Sequence, residues 1–349
     1  MSLNFILRFC TYLIDNIKYI YKMNDFQKIF SNALALAPME DVTEPPFRLI
    51  AKRLGADLLY TEFISSEGLI RDAIKARAKL FHYEEEHPVG IQIFGGVIPS
   101  MIDAAKISEL ADPDFIDINC GCWVKDVAMR GAGAGLLKDL PRMRLIAESV
   151  VKNVNKPVTL KTRLGWDKDN IVIVDVAKLM EDIGIQALTV HCRVRGQGNK
   201  GEADWEWVKR VKDAGVKIPI ILNGNIKTPE DVKFVFDNYQ PDAVMIGQGA
   251  ISNPWIFRQS KYFLKTGTHE PLPGIQERID TCIEHLKLAV ELKGEKLGVR
   301  EFRKHYSGYL HSLPNISKFR LELMQFDSSE PIINKLVDFK NYNYNIVST

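Results

Sequence analysis

The sequence predicts a (β/α)₈ barrel followed by a smaller C-terminal all-helical domain. Eight short apolar runs rich in strand-forming residues recur along the chain, amphipathic helical patterns separate them, and no further run follows Phe257. Successive runs start 23 to 43 residues apart, which leaves room for the dozen or more residues that a parallel crossover requires. The runs are LALAPM (34–39), DLLYTEF (57–63), VGIQIF (89–94), FIDINC (115–120), VTLKTR (158–163), ALTVHC (187–192), PIILNG (219–224) and AVMIGQ (243–248).

The segments between the runs carry apolar residues at helical spacing. Examples are RMRLIAESVVKNV (142–154) and IVIVDVAKLMEDIG (171–184), in which Gly184 is a typical helix stop. A doubly wound open sheet is the competing fold, but the Gly-rich fingerprint that usually follows its first strand is missing from LALAPMEDVTE. We therefore expect a barrel domain over residues 31–265 and a helical domain over 271–349.

Residues 1–30 form an N-terminal extension of the predicted barrel. Charged residues interrupt its apolar runs too often for a membrane span, and it lacks the small-residue cleavage site of a signal peptide. It fits either an amphipathic helix or an upstream segment ahead of a natural start at Met23.

Composition limits the classes of partner and compartment. The 349 residues carry a net charge of +2, so a nucleic-acid contact would have to come from a local basic patch. The five cysteines form an odd set without paired spacing, which is typical of a reducing cytoplasm rather than of a disulfide scaffold. We expect a cytoplasmic monomer that does not associate with membranes.

Alternation along the strands sorts their side chains onto two faces. In VTLKTR, Val158 and Leu160 lie on one face and Lys161 and Arg163 on the other. The apolar face suits packing against outer helices, and the polar face would point inward near the C-terminal strand ends, where barrel enzymes have their active sites. One inward polar residue could be a satisfied core group, but six at one end are costly to bury without a ligand. The six are Gln92, Asn119, Lys161, Arg163, His191 and Asn223.

Glycine turns follow the seventh and eighth runs, as Asn223-Gly224-Asn225 and Gly247-Gln248-Gly249. Loops at these two positions of a barrel often hold a phosphate through backbone N–H groups, which predicts a phosphorylated cofactor. The inward Lys161 supplies a positive charge that would stabilise the pyrimidine ring of a reduced flavin. The alternative is an ion pair between Lys161 and Asp117.

The stretch INCGCWVKDV (118–127) contains two of the cysteines. With Cys192 and His191, Cys120 and Cys122 would complete a Cys₃His set, but CxC matches structural zinc spacing poorly, so we predict no metal. A disulfide between Cys120 and Cys122 would close a small, strained ring. A catalytic thiol remains, and with an unperturbed pKa near ~8.5 it is mostly protonated at neutral pH and able to donate a proton.

A basic stretch lies in the predicted helical domain. In VREFRKHYSGYLHSL, Arg300, Arg303 and Lys304 share one helix face at i, i+3 and i+4. The face is either a solvated surface or a phosphate-binding patch. Aromatic and imidazole side chains interleave with it, namely Tyr306, Tyr309 and His311.

Several motifs together resemble the tRNA-dihydrouridine synthases, and most closely their bacterial B-type branch. The similarity covers roughly residues 33–325 and leaves residues 1–30 outside. The motifs are APMEDVTEPPFR (37–48), TEFISSEGLIRDA (61–73), PVGIQIFG (88–95), FIDINCGCWVKDV (115–127), GAGAGLL (131–137), PVTLKTRLGWD (157–167), GIQALTVHCRVRGQ (184–197), GEADW (201–205), MIGQGAISNPWIF (245–257) and EFRKHYSGYLHSLP (301–314).

The resemblance implies a flavin-bearing barrel and a helical domain that grips tRNA. Such an enzyme reduces the C5–C6 double bond of particular uridines with FMN and NADPH, passing hydride to C6 while a cysteine delivers a proton to C5. The family's cysteine stands in an N-x-G-C-P motif, which aligns with Asn119-Cys120-Gly121-Cys122 and makes Cys122 the proposed acid. Cys120 falls on the variable position of that motif.

The resemblance also assigns binding roles to residues of the barrel and of the helical domain. The cofactor-binding set is Pro38, Met39, Glu40, Gln92, Lys161, Asn223, Gly224, Asn225, Gly247 and Gln248. The substrate-binding set is Asn119, Arg163, His191, Arg193, Arg300, Arg303 and Lys304.

Four positions depart from the family pattern. Trp123 stands where proline is usual, Cys192 replaces the glycine of H-G-R, Asn225 replaces the aspartate of N-G-D, and Gln248 replaces the arginine of G-R. The last change removes a charge-assisted phosphate contact and predicts weaker retention of FMN. Two other functions stay open: an RNA-binding relative without full activity, and an FMN barrel oxidoreductase that acts on a small molecule.

Overall fold

The computed structural model describes residues 25–311, 313 and 316–347 of the chain. Its strands form one parallel sheet in the order β1-β9-β8-β7-β6-β5-β4-β2, and β3 also pairs with β4. The strands are β1 Ala33–Leu36, β2 Leu59–Tyr60, β3 Ile64–Ser65, β4 Val89–Phe94, β5 Phe115–Cys120, β6 Val158–Arg163, β7 Leu188–His191, β8 Ile220–Asn223 and β9 Ala243–Ile246.

A parallel bridge between Ala35 and Leu58 joins the first strand to the second and completes the ring. The predicted barrel is therefore confirmed. The second predicted run, 57–63, forms β2 and is followed by the separate short strand β3, and both lie against β4. The first run is shorter than predicted, because Pro38 has no N–H to continue the ladder after Ala37 has donated to the carbonyl of Ile246.

Helices surround the strands. Proline in the first turn begins several of them, as Pro45 does for α1, and Gly184, with φ +91°, ends the turn after α7 as predicted. The helices of the barrel part are α1 Pro45–Arg53, α2 Ser66–Ile70, α3 Ile74–Ala78, α4 Ile98–Glu109, α5 Lys125–Met129, α6 Leu140–Val151, α7 Ile173–Asp182, α8 Glu206–Asp213, α9 Pro229–Tyr239, α10 Gln248–Ser252 and α11 Ile256–Thr266.

The strand faces pack as their alternation predicts. Leu160 and its apolar neighbours on adjacent strands join the core between sheet and helices. The inward face holds a second apolar cluster at the N-terminal end, which includes Tyr60 and Phe115. Farther along the same strands the inward residues are polar, so the barrel has an apolar base and a polar C-terminal end.

A group of helices follows the barrel and shares a core with one side of it. Ile50 and Leu54 of α1 and Trp255 pack against these helices, and the Trp255 indole donates to Glu277 at 2.8 Å. Lys304 also donates to the carbonyl of Asp41, in the loop after β1. The helices therefore lie beside the barrel at β1 and β9. They are α12 Ile275–Lys293, α13 Glu295–Phe302, α14 Tyr306–Leu310, α15 Ile316–Leu323 and α16 Ser329–Val347.

Within the described part of the chain, none of the helices has the length and apolar character needed to cross a bilayer. The predictions made for the N-terminal extension up to residue 24, with Cys10, lie outside the described residues.

Candidate active site

A cavity of about 430 Å³ opens at the C-terminal ends of the strands. Every barrel residue to which the resemblance assigns a binding or catalytic role lines this cavity, except Gln92. Those that line it are Pro38, Met39, Glu40, Asn119, Cys122, Lys161, Arg163, His191, Arg193, Asn223, Gly224, Asn225, Gly247 and Gln248.

Gln92 lies beneath the cavity, with none of its surface exposed. Its amide nitrogen donates to Asp117 at 2.6 Å, and its amide oxygen accepts from the amide nitrogen of Asn119 at 2.8 Å. Thr159 donates to the other oxygen of Asp117 at 2.5 Å. These residues form a buried hydrogen-bonded network in which every carboxylate and amide group has a partner.

Asn119 connects this network to the loop that carries the predicted acid. Its side-chain oxygen accepts from the backbone N–H groups of Gly121 and Cys122, each at 2.9 Å. We call residues 121–124, between β5 and α5, the cysteine loop. Asn119 was assigned to the substrate, and the structure shows that its amide holds this loop in place.

Cys122 faces the cavity with 9% of its surface exposed. Burial raises the pKa of its thiol, so the thiol stays protonated at neutral pH. Cys120 belongs to the apolar core between sheet and helices, where burial raises the pKa of its thiol far more. Residues i and i+2 of one strand would share a face, so it is the end of β5 at Cys120 and the turn through Gly121 that separate the cavity thiol from the core thiol.

Cys192 also belongs to the apolar core, and its thiol lies 3.5 Å from the carbonyl of Val190. Cys192 therefore does not share the cavity with Cys122. Among the described residues, one group of potential metal ligands lies close together, namely Glu40, Asp41 and Glu62. Lys79 pairs with Glu40 at 2.6 Å and with Glu62 at 3.8 Å, so this group is an ion-pair cluster at the cavity edge.

Lys161 is 8% exposed, and its ammonium has no hydrogen-bond or ion-pair partner in the described part of the chain. Burial, followed by repulsion from Arg163, lowers its pKa to about 8. An ion pair with Asp117 was the alternative expectation, but Asp117 is bonded to Gln92 and Thr159, and burial raises its pKa to about 6. A buried cation that faces a cavity without a partner is costly unless a ligand accepts from it.

Arg163 joins two loops across the cavity edge. Its guanidinium donates to the carbonyls of Gly121 at 2.9 Å, Gly198 at 2.6 Å and Val194 at 3.3 Å. We call residues 192–205, between β7 and α8, the arginine loop. Arg163 was assigned to the uracil, and the structure shows that it ties the cysteine loop to the arginine loop.

The Trp123 indole lies over the arginine loop. Its ring atoms are 3.4–3.5 Å from the position that a Cβ on Gly198 would occupy, and Gly198 has φ +57°. Trp123 lines the cavity and remains 44% exposed. The bulky residue that departs from the family pattern therefore packs on a glycine and keeps one part of its surface at the cavity mouth.

His191 and Arg193 form a second polar group. Burial, followed by the nearby Lys161, holds the pKa of His191 well below its usual range, so its imidazole is neutral. Arg193 lies 3.1 Å from Nε2 of His191. Because Arg only donates, Nε2 accepts and Nδ1 carries the proton. Arg193 also donates to the carbonyl of Gly201 and to the side chain of Asn225, which orients both residues toward the cavity.

The two glycine turns surround the opposite side of the cavity. Gly224 has φ +118°, and a Cβ there would lie 3.1 Å from His191 and 3.2 Å from Ala203. Asn225 adopts a left-handed φ of 60°. Gly247 and the exposed Gln248 stand at the start of α10. A larger residue at position 224 would meet these neighbours in a left-handed conformation, so glycine there lets a ligand in the cavity approach the backbone closely.

The predicted basic helix face is divided between an α-helix and a 3₁₀ turn. Arg300 lies in α13, whereas Arg303 and Lys304 lie in a separate 3₁₀ turn. Arg303 donates to Asp327 and to the carbonyl of Phe326, each at 3.1 Å. Tyr306 and Tyr309 are buried in the helical core. The backbone nevertheless keeps right-handed helical φ and ψ from Phe302 to Tyr306, so the 3₁₀ turn tightens the chain between α13 and α14.

A parallel barrel whose C-terminal end brings a thiol, amides and buried cations to one cavity has the architecture of a barrel enzyme. The family model described as dihydrouridine synthase (Dus) matches residues 35–342. The chain belongs to this family, and its relatives lie in the B-type branch.

Several relatives carry the name tRNA-dihydrouridine synthase B, among them proteins of Pseudomonas aeruginosa and Vibrio vulnificus. The protein of Pseudomonas aeruginosa is 40% identical over 299 residues, which cover 86% of this chain and 90% of the relative. That of Vibrio vulnificus is 38% identical over 327 residues, which cover 94% of this chain and 100% of the relative. Among solved structures, TcOYE with pHBA shares the fold at a TM-score of 0.52 and 14% identity, covering 69% of this chain and 91% of that one.

Proposed function

We propose that this protein is a tRNA-dihydrouridine synthase that reduces the C5–C6 double bond of particular uridines in tRNA with FMN and NADPH. One observation carries the proposal: a buried, protonated thiol at Cys122 and a buried, partnerless ammonium at Lys161 face the same cavity. The first is a group that donates a proton, and the second is a group that requires an electron-rich ligand. The names of the relatives support the same substrate.

The residues present fit a flavin mononucleotide. The cavity of about 430 Å³ lies within the size range of ligand sites. Lys161 would donate to the electron-rich edge of the flavin ring, and Met39 and Pro38 would lie against the ring. Asn223, Gly224, Asn225, Gly247 and Gln248 would hold the phosphate side. When bound there, FMN supplies hydride transfer to C6 of the uracil.

Cys122 performs the proton transfer in this proposal. Its Sγ–H donates a proton to C5 of the uracil, and the thiolate that results is close to the Arg163 guanidinium, which favours the charged form. Asn119 fixes the backbone of Cys122, and Arg163 fixes that of Gly121. The thiol therefore has a defined position over the cavity, which a proton transfer requires.

His191 and Arg193 would bind the uracil. The neutral His191 ring offers Nδ1–H as a donor, since Arg193 occupies Nε2. Hydrogen-bond donors near the carbonyl oxygens of uracil would stabilise the negative charge that develops when hydride reaches C6. The low pKa of His191 keeps this donor neutral, so that the group does not become a competing acid.

The helical domain would bind the rest of the tRNA. Arg300 is exposed and has no ion-pair partner in the described residues. Lys304 lies at the loop after β1, next to Glu40 of the cavity. RNA that contacts this domain would therefore pass over the cavity mouth.

The experiment that tests the proposal uses purified protein with FMN, NADPH and an unmodified tRNA transcript. Nucleoside mass spectrometry should detect dihydrouridine, which is heavier than uridine by two hydrogens, only in the complete reaction. A protein that binds FMN and oxidises NADPH but leaves tRNA unchanged, while it reduces a small enone, would be the small-molecule oxidoreductase instead. A protein that binds tRNA without reducing it would be the non-catalytic relative.

A further inference from the structure

Two cations share one indole on the side of the cavity mouth away from the helical domain. The Lys138 ammonium lies 4.5 Å from the centroid of the Trp166 ring, and the Arg195 guanidinium lies 4.6 Å from it. Indole attracts a cation to its face, but two like charges around one ring repel each other. We call Lys138, Trp166 and Arg195 the cation cluster.

Among the described residues, no carboxylate forms an ion pair with the cation cluster. Neither Lys138 nor Arg195 has an ion pair among the described residues, and Nε of Arg195 is buried without any hydrogen-bond partner. The nearest acidic residues in sequence have other partners: Asp139 accepts from the N–H of Arg142, and Asp167 accepts from Asn170. The cluster is therefore a positive surface whose charges are not paired by carboxylates of the described residues.

The loops that carry the cluster are held together by backbone hydrogen bonds. The N–H of Arg195 donates to the carbonyl of Gly165 at 2.9 Å, and that of Gly196 donates to the carbonyl of Trp166 at 3.1 Å. Trp166 and Arg195 therefore cannot move apart without breaking these bonds. The cluster is preorganised, which lowers the entropic cost of binding a ligand.

The barrel places the cluster opposite the helical domain. Trp166 follows β6, which lies four strands from β1 in either direction around the ring. The helical domain lies beside β1 and β9. The cavity mouth is thus between the two, and the exposed indole of Trp123 stands at that mouth, packed on the same arginine loop that carries Arg195.

We propose that the cation cluster binds the phosphodiester backbone of the RNA strand that flanks the target uridine. This inference rests on the proposed function and extends it, because it gives the barrel a second RNA contact across the cavity from the helical domain. An extended polyanion fits better than a small anion, since the cluster lies outside the cavity and its charges are spread around a ring. A strand held on both sides of the mouth would present one base to the cavity, with Trp123 available to stack on a neighbouring base.

The test compares the double variant Lys138→Ala/Arg195→Ala with Arg210→Ala. Arg210 lies 4.5 Å from the ring centroid of Trp207 on α8 and does not line the cavity, so Arg210→Ala removes a cation–indole contact of the same kind outside the cation cluster. The binding of an unmodified tRNA transcript is measured at several salt concentrations. The double variant should bind tRNA at least about ten-fold more weakly. The slope of the logarithm of the binding constant against the logarithm of the salt concentration should become shallower by about 1 to 2, since each phosphate contact contributes about 0.7–0.9 to that slope. Arg210→Ala should match the wild type.

Equal affinity and slope in the double variant and Arg210→Ala would overturn the proposal. Thermal unfolding and flavin content serve as checks on folding, and the single variant Lys138→Glu, at an exposed position, gives the same comparison if the double variant is unstable. A wild-type protein that does not bind tRNA would contradict the proposed function itself. Wild-type binding with an unaffected double variant would contradict only the role of the cation cluster.

Discussion

The side-chain oxygen of Asn119 accepts a hydrogen bond from the backbone N–H of Cys122 at 2.9 Å. Asn119 is in turn held by Gln92, and Gln92 by Asp117. The position of the thiol is therefore set by a buried network inside the barrel, although the thiol itself stands in a loop. We expect this network to support the reaction by holding the thiol in place.

Asn119→Ala should slow the tRNA-dependent step by about 10- to 100-fold, because a misplaced acid loses much of the benefit of orientation. Flavin content should be unchanged. The measurement is the rate at which NADPH-reduced enzyme is reoxidised by tRNA. Asn153→Ala is the control, since the side-chain amide of Asn153 donates to the carbonyl of Ser149 at the end of α6. An unchanged rate in Asn119→Ala would show that Cys122 does not depend on this bond.

The pH dependence of the same step should have no acidic limb near the usual imidazole pKa of about 6.5. The pKa of His191 is lowered by burial, so this residue stays neutral through that range. The pKa of Cys122 is raised by burial, and the acid form is the active one. Activity should therefore persist through neutral pH and fall only above the usual thiol range. A profile that rises with pH through the neutral range would indicate that a thiolate is required instead.

FMN affinity should fall as pH rises above about 8, where Lys161 loses its proton in the free protein. Below that pH the ammonium is already charged, so the affinity should level off. FMN binding by Lys161→Gln should be weaker and should not show this step. Titration of the protein with FMN, followed by flavin fluorescence, measures both. If FMN binding by Lys161→Gln fell over the same pH range, the titrating group would be a residue other than Lys161.

Gln248→Arg should retain FMN more tightly than the wild type. A charge-assisted hydrogen bond contributes about 1.5–3 kcal/mol, which corresponds to a Kd lower by roughly 10- to 150-fold. Gln248 is exposed at the start of α10 and lines the cavity, so an arginine fits there without repacking. Dialysis followed by flavin absorbance compares the two proteins. Equal retention would mean that position 248 does not contact the phosphate.

The sequence predicted which side chains face the cavity more accurately than it predicted their partners. Alternation places Lys161 inward, and the structure confirms the barrel that makes this inference possible. Alternation does not say that Gln92 and Asn119 bond to each other, or that Arg163 bonds to backbone carbonyls, because those contacts join strands and loops far apart in sequence. A buried polar group takes whichever partner lies nearest in space.

The helical domain shows a similar limit. The spacing of Arg300, Arg303 and Lys304 fits one helix face, but Tyr306 and Tyr309 are buried in the core. A 3₁₀ turn over Arg303–His305 separates the two α-helices at this point. The periodicity of an α-helix does not reveal such a turn, and the sequence motifs likewise did not reveal that Trp166 lies beside two cations.

In the proposed reaction Cys122, and not Cys120, is the acid that completes uridine reduction. The most direct test is a single turnover in which enzyme reduced by NADPH is mixed with unmodified tRNA and dihydrouridine is quantified. Cys122→Ala should bind FMN and accept electrons from NADPH, yet form dihydrouridine at least about 100-fold more slowly, whereas Cys120→Ala should stay close to the wild type. Full activity in Cys122→Ala, or loss of activity in Cys120→Ala with its flavin intact, would contradict the account.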